Sequence, residues 1–367
     1  MIFVTGDTHG FIDSQKLFYF AKRHPELTKS DYVIVAGDFG GVWSNKTLEE
    51  DLNYFSRLPF TILFVDGNHE NFDILESFPI EKWKGGKVHK IRPDIIHLMR
   101  GQIYEIEEKT IFTFGGATSI DKDYRIEGIS WWSRELPSYE ELDEGIANLK
   151  RYGNKVDYIV THSCGQRALT YPQLRIAAGV KIASPESHLL SNFEDAVDFR
   201  HWYFGHFHID AHLSDKYTAL MNEIVRLDAH EKLDEIMGIL NEEYGGAMSD
   251  EMLEDFADDI YDSMFVGEYE LADILAVANN YESNADITDS KAFDIFIRLI
   301  DILDNGVKTA QRLYDSFMGE VELLETFLKL YNENAEYTSA EKLAEAKEKA
   351  FEVFDSQILE LYGITDR

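Results

Sequence analysis

The chain has 367 residues, 44% of them apolar, a net charge of −33 and a single cysteine, Cys164. That apolar content can build a sizeable core and argues against wholesale disorder, and one cysteine excludes an internal disulfide framework and fits a reducing compartment. The charge disfavours a general grip on polymeric nucleic acid, which needs Lys and Arg against phosphate; a small phosphorylated substrate stays open, because a bound metal can invert the local field.

No apolar run reaches about 18 residues, and the opening Met1–Gly10 has neither a charged leader region nor a long apolar stretch. A cytoplasmic protein without a membrane span is expected. At this length two domains fit comfortably.

The first strand is expected in "MIFVTGD", straight before "GDTHG". "SQKLFYFAKRH" then has helical spacing, with Leu17, Phe18 and Phe20 available for one face. "YVIVAGD", "FTILFVDGN", "TIFTFGGA", "DYIVTHS" and "HWYFGHFH" each read as a buried strand followed by a small or polar turn. "SYEELDEGIANLKRYG" is a further helix, capped by Ser138 with Glu141 as its capping-box partner. "SDKYTALMNEIVRLD" supplies one last strand, Ala219 to Leu227. Strands alternating with helices point to an α/β or mixed sandwich core.

The composition changes near residue 230. All seven prolines, five tryptophans and twelve histidines lie in residues 1–230, and none lies beyond. The net charge is −9 in residues 1–230 and −24 in residues 231–367. A domain boundary is expected there, with 231–367 an acidic all-helical domain. Its apolar residues recur at three- and four-residue spacings in "KAFDIFIRLIDIL", "VELLETFLKLY" and "SAEKLAEAKEKAFEVFDSQILELY", with breaks at Asn305-Gly306 and Gly319. Its acidic faces read as solvated helix surfaces, with a docking surface for a protein partner as the alternative.

The residues that carry chemistry stand where the strands end. Asp7 and His9 follow the first strand and Asp38, in "GDFGG", the second. Asn68 and His69, in "GNHE", follow the third. His162 ends a later strand, and His206 and His208, in "GHFH", end the next. Alone, each is an ordinary turn, cap or surface residue. Together they are five groups of metal-ligand type, all at strand ends, where α/β proteins place ligand sites. Imidazole, carboxylate and amide oxygen suit Mn²⁺, Fe, Zn²⁺ or Ni²⁺, and no thiolate cluster competes.

In these residues the chain resembles the calcineurin-like metallophosphoesterase superfamily. The pattern is Asp7-Thr8-His9, Gly37-Asp38, Gly67-Asn68-His69-Glu70, His162 and Gly205-His206-Phe207-His208, and the resemblance spans residues 1 to about 228. It implies a four-layer β-sandwich flanked by helices, here followed by an all-α C-terminal domain. It implies an enzyme that uses two divalent ions, Mn²⁺ foremost, to hydrolyse a phosphomonoester or phosphodiester with a metal-bridging hydroxide. One ion would be held by Asp7, His9, Asp38 and His208, and the other by Asp38, Asn68, His162 and His206. Asp38 would be the shared carboxylate. His69 would bind no metal, and would act as general acid toward the leaving oxygen or steady the transition-state charge.

One departure from the family matters. The Ser/Thr protein phosphatase branch places an Asp and an Arg three and four residues after the shared Asp, where this chain has Gly41 and Val42. Phosphate contacts must come from elsewhere, and the expected source is residues 118–138, with Lys122, Arg125 and Arg134 as cations and Trp131-Trp132 as a flat apolar surface. Arg92 is a further cation, with a surface role expected, and Cys164 reads as a packed thiol. A nucleotide or cyclic nucleotide is the expected substrate. The alternatives are a nuclease working with a partner, and a metal-binding scaffold or regulatory protein whose helical domain docks a protein.

Overall fold

The computed structural model of the protein describes residues 1–177, 184–229, 231, 237 and 238. The chain divides into two units at Leu227/Asp228, and the description below concerns the first. The helices expected in 231–367 lie outside the described residues.

Thirteen strands are described. They are β1 (Ile2–Thr5), β2 (Tyr32–Val35), β3 (Thr61–Phe64), β4 (Ile80–Trp83), β5 (Gly86–Arg92), β6 (Ile95–Leu98) and β7 (Gln102–Ile106), then β8 (Lys109–Phe114), β9 (Tyr158–Thr161), β10 (His201–Phe204), β11 (Ala211–Ser214), β12 (Tyr217–Ala219) and β13 (Ile224–Arg226). They form a seven-stranded sheet ordered β13-β1-β2-β3-β6-β5-β4 and a six-stranded sheet ordered β11-β12-β10-β9-β8-β7. β1, β2, β3 and β6 run parallel, as do β8, β9, β10 and β12, while the outer strands pair antiparallel.

The period-two alternation of the strands decides the layering. Ile2, Val4, Ile34 and Leu63 point one way and pack with Tyr104, Ile111, Tyr158, Val160 and Tyr203 of the second sheet. Phe3, Val33, Val35, Ile62 and Phe64 point the other way, toward Leu17 and Phe20 of α1 (Gln15–Arg23) and Leu52 and Phe55 of α2 (Leu48–Phe55). α3 (Phe72–Leu75) adds Ile74 and Leu75 to the same layer. On the far side, Phe112, Phe114, Ile159 and Trp202 meet Leu142 and Leu149 of α4 (Tyr139–Arg151), Leu174 of α5 (Pro172–Ala177) and Phe193 of α6 (Pro185–Ala196). The result is helix, sheet, sheet, helix: the four layers expected from the sequence. Both faces of the central strands are covered, so they are apolar throughout.

The six strands and two helices expected from the sequence are present, and Ser138 and Glu141 form the capping box. Phe18 is only half-buried. The last strand needs correction. Residues 219–227 are two strand pieces in different sheets, β12 ending at Ala219 and β13 beginning at Ile224. The Asp210 carboxylate accepts the N–H groups of Met221, Asn222 and Glu223 and fixes the turn between them. Among the described residues no helix is long and apolar enough to cross a membrane.

Candidate metal centre

The parallel strands β1, β2 and β3 end at the same edge of the first sheet, and β9 and β10 end beside them in the second. Asp7, Asp38, Asn68, His162, His206 and His208 follow these ends, so the crevice at the carboxyl edge gathers them. Three overlapping groups have ligand atoms within 4.8 Å of one another: Asp7, His9 and His208; His9, Asp38 and His69; and Asp7, Asp38 and His162. The His206 ring lies beside that of His162, at 5.0 Å between centroids. Of the eight candidate residues, all lie in one place.

The backbone is bent to bring them there. His9, Asp38, His206 and His208 all have positive φ, at 43°, 49°, 68° and 52°. A non-glycine residue in that region costs on the order of 1–3 kcal/mol and persists where the surroundings impose it. Gly67 and Gly205 serve a different need. A Cβ on Gly67 would occupy the place of the Asp38 carboxylate, and one on Gly205 that of the Asp7 carboxylate. The glycines that fence the motifs leave room for the acids of neighbouring loops.

The polar atoms are paired outward and left open inward. His9 Nδ1 is 2.7 Å from Asp13 Oδ2, so that nitrogen carries a proton and Nε2 is the nitrogen turned inward. Nε2 then faces carboxylate oxygens, Asp38 Oδ2 at 3.3 Å and Asp7 Oδ2 at 3.9 Å. His162 repeats the arrangement. Its Nδ1 donates to the Ala36 carbonyl at 2.8 Å, and Nε2 faces Asn68 Oδ1 at 3.1 Å and Asp38 Oδ1 at 3.4 Å. Asp7 Oδ2 is buried and faces His208 Nε2 at 3.2 Å. Imidazole nitrogens and carboxylate oxygens converge here, an arrangement in which a cation would take the place of the protons the histidines otherwise share with the acids.

The electrostatics agree. Burial opposes the charge on Asp38, but the imidazoles of His162, His9 and His69 hold its carboxyl far below the usual range. Burial likewise opposes the charge on Asp7, and His162, His208 and the His206 N–H hold it down. Burial also opposes a charge on His9, yet Asp38 and Asp13 raise its pKa to about 9. His206 goes the other way, down to about 4 through burial and its His162 neighbour, which leaves its imidazole neutral. The donor set of two buried carboxylates, imidazoles that release a proton to a metal and an amide oxygen fits divalent ions.

A cavity of about 690 Å³ opens beside this cluster, with Asn68, His69, His206 and His208 on one wall and Thr118–Asp123 and Arg125 on the other. Arg125 lies against His69, with Nη1 at 3.2 Å from Nδ1 and Nη2 at 3.5 Å from Nε2. The paired spacings are those of a guanidinium stacked on the ring. Asp121 holds Arg125 Nε from the other side at 2.8 Å. Lys122 is exposed on the same wall. Trp131 and Arg134 are not among the described residues that line the cavity; Arg134 pairs with Asp73 and Glu76 at the surface. Trp132 is buried, donates to Asp73 at 2.9 Å and packs edge-on against Trp43, anchoring the segment. Arg92 pairs with Glu49 on α2, and the Cys164 thiol is buried with its pKa pushed well up by burial.

Several supporting residues carry no sequence motif. Asp13 orients His9. Lys16 Nζ donates to the carbonyls of Gly6, Asp7 and Met221 and ties the first loop to the β12–β13 turn. Glu70 accepts the Phe39 N–H at 2.8 Å and steadies the turn that carries Asp38. Only Glu70 stood in a quoted motif, and without an assigned role.

The family model of the calcineurin-like phosphoesterases matches residues 1–210. The lariat debranching enzyme of Schizosaccharomyces pombe is 25% identical over 178 residues, which are 43% of this chain and 35% of that enzyme. The chain thus spans about a third of that relative's length. Among solved structures, the chain is similar to a putative 5'-nucleotidase from Staphylococcus aureus (14% identity, TM-score 0.34, covering 60% of this chain and 48% of that one). It is also similar to a phosphopantetheinyl hydrolase from Mycobacterium tuberculosis (16% identity, TM-score 0.31, covering 60% and 87%). With its four layers and this cluster at the strand ends, the chain belongs to the calcineurin-like phosphoesterases.

Proposed function

We propose that the centre holds two divalent ions and hydrolyses a small phosphate ester, with a nucleotide or cyclic nucleotide as the leading substrate class. Asp7, His9, Asp38 and His208 would hold one ion, and Asp38, Asn68, His162 and His206 the other. The single observation that carries this is the pair of histidines, His9 and His162, whose outer nitrogens are tied to Asp13 and Ala36 while their inner nitrogens face buried oxygens. Mn²⁺ is the leading ion for such a donor set. The bound ions supply Lewis acidity for the phosphate and for the attacking water.

The chain's own groups supply the rest. Arg125 and Lys122, on the cavity wall, bind the non-bridging phosphate oxygens, in place of the cation that the protein phosphatase branch carries at the position of Val42. Water attacks phosphorus in line with the ester oxygen, the new P–O bond forms as the ester P–O bond breaks, and His69 delivers a proton or a hydrogen bond to the departing oxygen. Residues 1–230 form the catalytic domain in this reading. Residues 231–367 are a separate acidic domain in this reading, with docking of a protein partner as an alternative to a simply solvated surface. Similarity to a lariat debranching enzyme favours a second reading, a nuclease that acts with a partner.

Bis-p-nitrophenyl phosphate and p-nitrophenyl phosphate test the reaction and separate diester from monoester chemistry. Hydrolysis is expected with Mn²⁺ and none with excess chelator. His69→Ala at an unchanged rate would rule out the proton-delivery role.

A further inference from the structure

Arg100 belongs to none of the motifs, yet it is buried, at 8% exposure, beside the loop that carries Asn68. Its Nε donates to Asp66 Oδ2 at 2.8 Å, and Nη2 donates to the same oxygen at 2.5 Å. Nη2 also reaches the carbonyls of Arg134 and Glu135, at 2.9 and 3.2 Å. Nη1 donates to Glu141 Oε2 at 3.1 Å, the oxygen that accepts the Ser138 N–H in the cap of α4. One guanidinium therefore joins three segments.

Two of those segments meet again at Asn68. Asp66 precedes Asn68 by two residues in Asp66-Gly67-Asn68. The Glu135 carboxylate, whose backbone Arg100 holds, accepts the Ser119 N–H at 2.8 Å and the Ser119 hydroxyl at 2.6 Å. With its proton committed to Glu135, Ser119 Oγ can only accept, and it accepts from Asn68 Nδ2 at 3.2 Å. The amide is thereby fixed with its nitrogen outward and Oδ1 toward His162 Nε2. Reversed, it would set an oxygen against an oxygen at Ser119 and aim N–H groups where a cation needs an acceptor.

We infer that Arg100 is a positioning residue for the Asn68 half of the centre. Through Asp66 it fixes the backbone that carries Asn68, and through Glu135 and Ser119 it fixes the direction of the amide. It sets how well that half holds an ion while touching neither ion nor substrate. The inference rests on the two-ion reading and concerns one of its two halves. Partners of this kind beyond the ligands change metal affinity by about 10–100-fold when removed.

The test is Mn²⁺ titration into metal-free protein by calorimetry, with a thermal melt of each metal-free variant. Ser119→Ala cuts the relay and leaves Arg100 with Asp66. Arg100→Met combined with Asp66→Asn removes the guanidinium together with its counter-charge, since a buried carboxylate left with only His97 Nε2, 3.1 Å from its Oδ1, would be destabilising; should that pair not fold, Arg100→Lys, which keeps the charge and loses the fork, takes its place. In the unsubstituted protein two ions are expected. In each variant one ion should bind with unchanged affinity and the other about 10–100-fold more weakly, with Ser119→Thr restoring the weaker one. Two ions at unchanged affinities in Ser119→Ala, or equal losses at both, would overturn the relay through Glu135 and Ser119, and the same result in the Arg100 variant would overturn the role of Arg100. A single ion in the unsubstituted protein would overturn the two-ion reading, and this inference with it.

Discussion

Asp13 contributes no ligand of its own, yet its carboxylate 2.7 Å from His9 Nδ1 decides which nitrogen of His9 carries the proton. Asp13→Asn should therefore weaken Mn²⁺ binding by about 10–100-fold with little change in the melting of the metal-free protein; calorimetry and a thermal scan check it. Arg125 acts on the substrate side. Arg125→Ala should lower kcat/KM by about 10–100-fold, the scale of one or two charged hydrogen bonds, with metal content unchanged. A third prediction concerns acid stability. His89 is buried and its pKa is pushed down to about 4, by burial first and then by His97, whose Nδ1 is 2.9 Å away. An unfolded histidine takes up its proton near 6.5, and the folded one only near 4, so stability falls as the pH drops through that window. The loss is at most about 3 kcal/mol, and urea unfolding from pH 7 to 4 should show it, flattened in His89→Gln. At this scale the sequence was legible where chemistry and position coincided. Asp7, His9, Asp38, Asn68, His162, His206 and His208 each stand at the end of an apolar run, and all of them meet. Asp13, Ser119, Glu135 and Arg100 act through contacts across up to 51 residues of chain, which no local pattern announces.

Among the elements, α4 shows how far local rules carry. Ser138 accepts the Glu141 N–H and Glu141 accepts the Ser138 N–H, the arrangement its spacing implies. Ser138→Ala should cost about 1 kcal/mol in urea unfolding and leave hydrolysis intact. β4 to β7 had no such announcement. β4 is exposed up to the half-buried Trp83, and β5 mixes buried and exposed positions, so neither gives the continuous apolar run that marked the central strands. The single strand expected over 219–227 divides because its polar middle, Asn222 and Glu223, turns onto Asp210 instead of extending. Loop spacing matters as much as strand content. Gly67→Ala would press a methyl group into the place of the Asp38 carboxylate, and metal binding should fall along with activity.

For the molecule as a whole, composition marks where the chemistry lies. Every histidine precedes residue 231, and the charge is concentrated beyond it, −24 of the −33. The matched family region, residues 1–210, and the unit Met1–Leu227 cover the same part of the chain. Within it the two sheets supply the site by geometry: parallel strands from both end at one edge, and the polar residues that follow them have nowhere else to converge. The acidic segment lies outside that logic, and its role is a proposal that a binding experiment on the full chain can address. The central claim is that two ions share Asp38 and that hydrolysis needs both. Its most direct measurement titrates Mn²⁺ into metal-free protein and follows bound ions and bis-p-nitrophenyl phosphate hydrolysis in the same samples. Two ions per chain are expected, with the rate rising as the second binds and absent in Asp38→Asn. Saturation at one ion, or full hydrolysis in the presence of excess chelator, would contradict it.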